Sequence, residues 1–239
     1  NGSNPGDGIY VLLKEIVDNC IDEFSAGFGK QVLINIEDRQ VSIRDFGRGI
    51  PLNSVIKATS QLNTGGKFDD KAFKKSVGLN GVGTKAVNAL SESFYVESFR
   101  GGESSWARYE RGQLVDSGRK EKVSEKNGTL VVFTPDSAMF GGFEFHMDYV
   151  ETMVKNYSYL KKGLAIVLNG VTYKSENGLL DLVNDNLSET PRYAPIHLVG
   201  EDIEVVLTHG NSYGENIASF VNGQNTRDGG THLAAFREA

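Results

Sequence analysis

The chain has 239 residues, 39% hydrophobic and 23% charged, with a formal net charge of -6. A chain of that length and balance buries a sizeable core, which excludes a disordered or fibrous protein, and the acidic balance lacks the basic stripe by which proteins hold nucleic acid through its phosphates. One cysteine, Cys20, forms no internal disulfide, and no apolar run approaches the roughly 20 residues that span a bilayer, so a soluble, reducing compartment is expected.

The opening NGSNPGDG is loop-like and reads as a cut end. From Ile9 the apolar positions Ile9, Leu12, Leu13, Ile16, Cys20 and Phe24 recur at threes and fours, the stripe of an amphipathic helix that stops before Gly27. QVLINIE and VSIRD alternate with period two about an Asp38-Arg39 turn and predict a hairpin running into Gly47. A weaker helical pattern covers 53–63, followed by a glycine- and lysine-rich stretch to Gly83 that reads as a long loop. A helix begins near Thr84, and strands are expected at 93–99, 104–110 and 128–134. A second long helix carries Val150, Met153, Val154, Tyr157 and Leu160, and AIVLNGVTY is a hairpin turning at Asn169-Gly170. After a short helix near Leu179, IEVVLTH and ASFVNG complete the expected strands, and THLAAFREA is a helix that ends without a cap signal. No repeat or linker divides the chain, so residues 1–239 read as one α+β domain.

Three stretches carry chemistry. Glu15, Asn19 and Glu23 follow one another at spacings of four and share the face of the first helix opposite its apolar stripe. A carboxylate there can take a proton from water, and an amide oxygen one turn on suits Mg²⁺, although the same face alone also fits a solvated helix surface. Asp45 continues the alternation of Val41 and Ile43 and points inward, where its charge needs a partner. A purine amino group would serve, with Gly47 and Gly49 letting the backbone approach the ring; an ordinary Asp-Gly turn is the other reading of DFGRGIP. Asp45-Phe46-Gly47 imitates a kinase triplet, but no accompanying kinase motif is present. GLNGVG, Gly78 to Gly83, enters a helix and suits phosphate, and Lys67, Lys74 and Lys75 in the preceding loop either close over a polyphosphate or belong to a charged surface. Cys20 lies on the apolar stripe as a small buried hydrophobe, and His146, His197, His209 and His232 lack ligand spacing and read as structural.

Taken in order, EIVDNCIDE, DFGRGIP, TGGKFDD, GLNGVG, Asn127-Gly128-Thr129 and VNGQNTRDGGTHLAAFREA resemble the nucleotide-binding domain of gyrase B and topoisomerase IV B subunits, of the wider GHKL ATPases. The resemblance covers nearly the whole chain. It implies a two-layer sandwich, a mixed and mostly antiparallel sheet with helices on one face, that binds ATP and Mg²⁺. It makes Glu15 the general base, Asn19 the Mg²⁺ ligand and Asp45 the adenine partner, assisted by Thr129 through a water. Glu23 and Arg48 would pair beside the pocket, and Gly49, Ile50 and Pro51 would wall the base. Gly81, Val82 and Gly83, with Leu79, would hold phosphates beneath Gly66 and Lys67. Lys67 counts with Glu15 among the catalytic residues. A shortened stretch between Pro51 and Thr64, Asn80 in place of a common histidine, and Phe46 in place of a common Asp or Asn point to topoisomerase IV before gyrase. Chaperone or mismatch-repair ATPases share the Glu-Asn helix but not TGGKFDD. The resemblance further implies that the N-terminal arm and the transducer domain lie outside the chain, so that it binds ATP but hydrolyses it weakly. In the intact enzyme a second B subunit, the A subunit and DNA are the implied partners, in the bacterial cytoplasm at the nucleoid. The pocket would also accept competitive inhibitors that mimic adenine.

Overall fold

In the computed structural model the described residues are 7–60, 82–211, 213–221, 223–226 and 229–238. Gly66, Lys67, Leu79 and Gly81, together with the expected lysine loop, lie outside them.

Helix α1, Gly8–Ser25, buries Ile9, Leu12, Leu13, Ile16, Val17, Cys20 and Ile21, the expected stripe broadened by Val17 and Ile21, with Phe24 partly buried at its end. It lies across a sheet begun by β1, Gln31–Glu37, and β2, Gln40–Asp45, which pair antiparallel around Asp38 at φ 51°. The 3₁₀ turn Leu52–Ser54 leads into α2, Val55–Ser60, and the next described element, α3, Gly83–Ala89, packs against α1 and α2. Four strands follow: β3, Ser91–Arg100; β4, Glu103–Glu110; β5, Gln113–Glu121; and β6, Gly128–Pro135. After the short α4, Ser137–Phe140, comes the second long helix α5, Met147–Leu160, and then the hairpin of β7, Ala165–Leu168, and β8, Val171–Tyr173. Asn169 and Gly170 both take positive φ, 46° and 84°, as the tight hairpin turn requires.

The sheet runs β5-β4-β3-β6-β2-β1-β7-β8, antiparallel at every pairing except β1 with β7. The expected mixed, mostly antiparallel sheet is therefore observed. Its registers align Val96, Val131, Ile43, Ile34 and Leu168 in one inward row. Each such side chain removed from water contributes roughly 1.5–3 kcal/mol, so the row and the α1 stripe hold the two layers together. The chain then forms α6, Leu179–Asp185, the two-stranded sheets of β9, Ile196–Val199, with β10, Glu204–Leu207, and of β11, Phe220–Val221, with β12, Gln224–Asn225, and last α7, Thr231–Glu238. Strands β5, β9 and β12 and helix α4 are additions to the sequence expectation. β5 is an edge strand with Leu114 and Val115 both exposed, so it shows no apolar alternation to detect.

Candidate active site

The central strand β2 ends at Asp45, and α1 passes over that end. Asp45 is 7% exposed and inward-facing, as its alternation with Val41 and Ile43 requires. Its Oδ1 accepts the Gly47 amide at 2.8 Å, and the backbone amide of Thr129 also bonds the carboxylate. Asp45 thus makes the local Asp-Gly turn and holds a buried carboxylate at the same time. Burial pushes its carboxyl above the usual carboxylate range, and the two amides and the Arg44 charge oppose that push. Cys20, buried on α1, donates to the Ile16 carbonyl at 3.3 Å and lies 4.0 Å from Asp45 Oδ2.

The residue before Cys20, Asn19, donates through Nδ2 to Thr84 Oγ1 at 2.9 Å, which ties α1 to the first turn of α3. Gly83 lies against Glu15: an added Cβ there would overlap the carboxylate, whose Cδ would stand 3.0 Å away. Val82, 41% exposed, is the residue that leads into α3. Glu15 and Asn19 therefore meet the beginning of α3, while Cys20 meets Asp45. Because the amide nitrogen of Asn19 is engaged by Thr84, its oxygen is the atom left to present, which suits a hard cation sharing its shell with waters and phosphates.

At the far end of the same face Glu23 and Arg48 form a fork: Nη2 to Oε1 at 2.8 Å, Nε to Oε2 at 3.1 Å, with the Arg48 amide on Oε2 at 2.9 Å. Against the upward push of burial, these bonds hold Glu23 below the usual range. The Arg48 guanidinium also lies 4.4 Å from the centre of the Phe28 ring. Ile50, half-buried, gives its carbonyl to Ser98 Oγ at 2.7 Å, and Pro51, exposed, accepts the Ser54 amide through its carbonyl at 2.7 Å.

The glycines also have a role within the protein itself. A Cβ at Gly47 would meet the Glu23 side chain at 2.8 Å, and one at Gly49 would meet the Phe99 carbonyl at 2.8 Å. They let the loop approach α1 and β3, so close approach to the protein itself already accounts for them. Sequence reasoning missed Thr84 and Ser98, which hold Asn19 and Ile50; Thr84 directly follows the GLNGVG motif, whereas Ser98 carries no signal beyond an inward strand position. His197 bonds Glu204, His209 bonds Tyr193 and His232 bonds Thr226, each a local structural contact. A cavity of about 560 Å³ lined by Tyr10, Phe140, Phe143 and Tyr149 contains none of these site residues.

Residues 5–139 match the family model described as histidine kinase-, DNA gyrase B- and HSP90-like ATPase, and residues 147–239 match the model for DNA gyrase B. The chain is 49% identical over 239 residues to the DNA topoisomerase 4 B subunit of Borreliella burgdorferi, covering all of this chain and 40% of that protein. It is 34% identical over 263 aligned positions to the DNA gyrase B subunit of Treponema denticola, covering all of this chain and 41% of that one. The chain thus spans about two fifths of the curated relatives it matches. Among solved structures it resembles the 43K ATPase domain of Thermus thermophilus gyrase B in complex with an aminocoumarin, with a TM-score of 0.79, 27% identity, and coverage of 98% of this chain and 66% of that one. It also resembles the topoisomerase IV ATP binding domain of Francisella tularensis in complex with a small molecule inhibitor, with a TM-score of 0.73, 26% identity, and coverage of 95% and 65%.

Proposed function

Because the chain belongs to the family of histidine kinase-, DNA gyrase B- and HSP90-like ATPases, we propose that it performs the ATP binding and hydrolysis of a type IIA DNA topoisomerase B subunit, topoisomerase IV before gyrase. The observation that carries this reading is the placement made by α1. One helix sets Glu15 against Gly83 and Asn19 against Thr84, and the next residue, Cys20, against Asp45.

Adenine docks at Asp45, its amino group donating to the ionised carboxylate, with Thr129 alongside. Gly49, Ile50 and Pro51 border the base, and the Glu23–Arg48 fork closes that end. The phosphates lie towards the start of α3, at Gly81, Val82 and Gly83, with Leu79, Gly66 and Lys67 from the preceding sequence completing their binding. Glu15 takes a proton from the water that attacks the γ-phosphoryl group, releasing ADP and phosphate. Asn19 would hold Mg²⁺ through its amide oxygen, and the ion would supply charge neutralisation at the phosphates. Helix α5 and strands β7 and β8, within the second family match, complete the sheet begun in the first, so residues 1–239 are read as one ATP-binding unit. In the whole enzyme, ATP binding closes a gate between two B subunits and hydrolysis reopens it, so that the A subunit and DNA complete strand passage in the bacterial cytoplasm. No helix among the described residues is long and apolar enough to cross a membrane.

Calorimetric titration of the chain with a non-hydrolysable ATP analogue and Mg²⁺, beside a GTP analogue, tests the reading. Binding that favours adenine and disappears in Asp45→Asn supports it. Equal affinity for both bases, or full affinity in the variant, contradicts it.

A further inference from the structure

Arg44 immediately precedes Asp45 and, by strand alternation, projects to the opposite face of the sheet. That is where an arginine ordinarily meets solvent, yet this one is only half-exposed and held on four sides. Its guanidinium carbon lies 4.7 Å from the centre of the Phe46 ring and 4.6 Å from that of Phe99. Its Nη1 donates to the Asp45 carbonyl and its Nη2 to the Lys126 carbonyl. The first carbonyl belongs to the residue that carries the buried carboxylate. The second lies in the turn that leads into β6 and Thr129. Gly128, at φ 136°, stands beside this junction, where an added Cβ would overlap both the Asp45 carbonyl and Arg44 Nη1. No other residue type leaves room for the guanidinium there.

We propose that Arg44 is a positioning residue of the nucleotide site: its planar fork, clamped between Phe46 and Phe99, fixes the Asp45 and Thr129 backbones relative to each other and thereby aims the carboxylate at the base. The inference rests on the reading of Asp45 as the adenine partner. Two parallel donors in a fixed plane and stacking on aromatic rings are properties that lysine does not share. The fork therefore adds to two strand ends that are paired up to Arg44 and Leu130 and bonded beyond that pair by the Thr129 amide. The charge has a second effect. The groups facing Asp45 are Cys20 and Glu23 from α1, Arg44 from its own strand and the Gly47 and Thr129 amides, with Glu125 near Arg44 and Glu23 already bonded to Arg48. Of these, Arg44 supplies the positive charge that opposes the upward push of burial on the carboxyl.

The test is titration of the 239-residue chain with a non-hydrolysable ATP analogue and Mg²⁺ from pH 5 to 8, comparing wild type, Arg44→Lys, Arg44→Gln and Asp45→Asn, with thermal unfolding of each. Arg44→Gln is expected to weaken binding about tenfold at neutral pH, the loss expected from a charged hydrogen bond, and to move the acid limb of the binding curve to higher pH. Arg44→Lys keeps the charge without the fork, so it should weaken binding while leaving the acid limb in place. A merely structural arginine would lower the unfolding temperature and leave the affinity and acid limb of the folded protein unchanged, and that result in both variants overturns the proposal. If Arg44→Gln does not fold, Arg44→Lys decides by its affinity alone. Retained affinity in Asp45→Asn would instead remove the adenine-partner reading, separately from any effect of Arg44.

Discussion

At Asp45 the demands of the proposed site and of the fold pull in opposite directions. Its carboxyl is raised in the folded chain because burial penalises the charge. The unfolded carboxyl ionises first as pH rises, near 3.9, so the unfolded state gains from ionisation that the fold resists. The cost begins at the unfolded value and is complete above the raised folded one, which makes the ionised residue a net burden at neutral pH. Asparagine keeps an oxygen for the Gly47 amide and removes the charge. Asp45→Asn should therefore lose nucleotide binding while melting no lower than wild type at pH 7, by calorimetry on both proteins; a fall of several degrees would show that the ionised carboxylate supports the fold. Cys20, beside it, behaves in the opposite sense. Burial pushes its thiol well above the usual range, with the Asp45 charge adding to that push. Reaction requires thiolate and access, so iodoacetamide should label Cys20 only at the rate of global opening, and added ATP analogue should slow labelling further. Labelling as fast as a free thiol, judged by mass spectrometry, would contradict the buried placement.

At the scale of elements, the open face of the sheet has its own polar knot. Glu97 of β3, 5% exposed, accepts from Tyr95 at 2.7 Å, from Ser104 of β4 at 2.7 Å and from Lys120 of β5 at 2.9 Å. Against the push of burial, these donors hold its carboxyl below the usual range. Such a group stabilises the fold above its unfolded value, and that contribution is lost as pH falls through the depressed folded value. Glu97→Ala would leave the Tyr95 and Ser104 hydroxyls without their acceptor and should cost about 1–3 kcal/mol, whereas Lys120→Met, at an exposed partner, should cost at most about 1 kcal/mol. Urea titration at pH 7 and at pH 3 checks both, and the Glu97→Ala deficit should shrink at the lower pH. This strand edge was also the least legible part of the sequence. β5 is polar and exposed along nearly its whole length, so periodicity had nothing to register, while α1, the β1–β2 hairpin and the Asn169-Gly170 turn each carry a buried stripe or a required backbone sign. The site divides along the same line. Spacing placed Glu15, Asn19 and Glu23 on one face and Asp45 inside. It could not show that Gly83 and Thr84 arrive from more than 60 residues away, nor that an outward-facing arginine would be enclosed by two phenylalanines.

For the whole molecule, the two layers matter because the base end and the phosphate end of the proposed site are supplied by different elements, the sheet and α3, both of which α1 touches. Asp45 belongs to the sheet, Gly83 and Thr84 to α3, and the helix between them contacts both. A nucleotide bridging those ends should stabilise the folded chain by mass action, about 2.7 kcal/mol at a hundredfold excess over Kd, which for a domain of this size is a rise of roughly 5–10 °C in unfolding temperature. Glu15→Gln separates binding from turnover. Glutamine has nearly the same shape, so its side chain still fits beside Gly83, and the nucleotide should give the variant the same rise in unfolding temperature as wild type. It cannot take a proton from the attacking water, so hydrolysis should fall about 10²- to 10⁴-fold, the usual contribution of a general base. Phosphate release and thermal shift measured on the same samples distinguish the cases: equal turnover removes Glu15 from the chemistry, and loss of the thermal shift makes it a binding residue whose carboxylate holds the start of α3 in place.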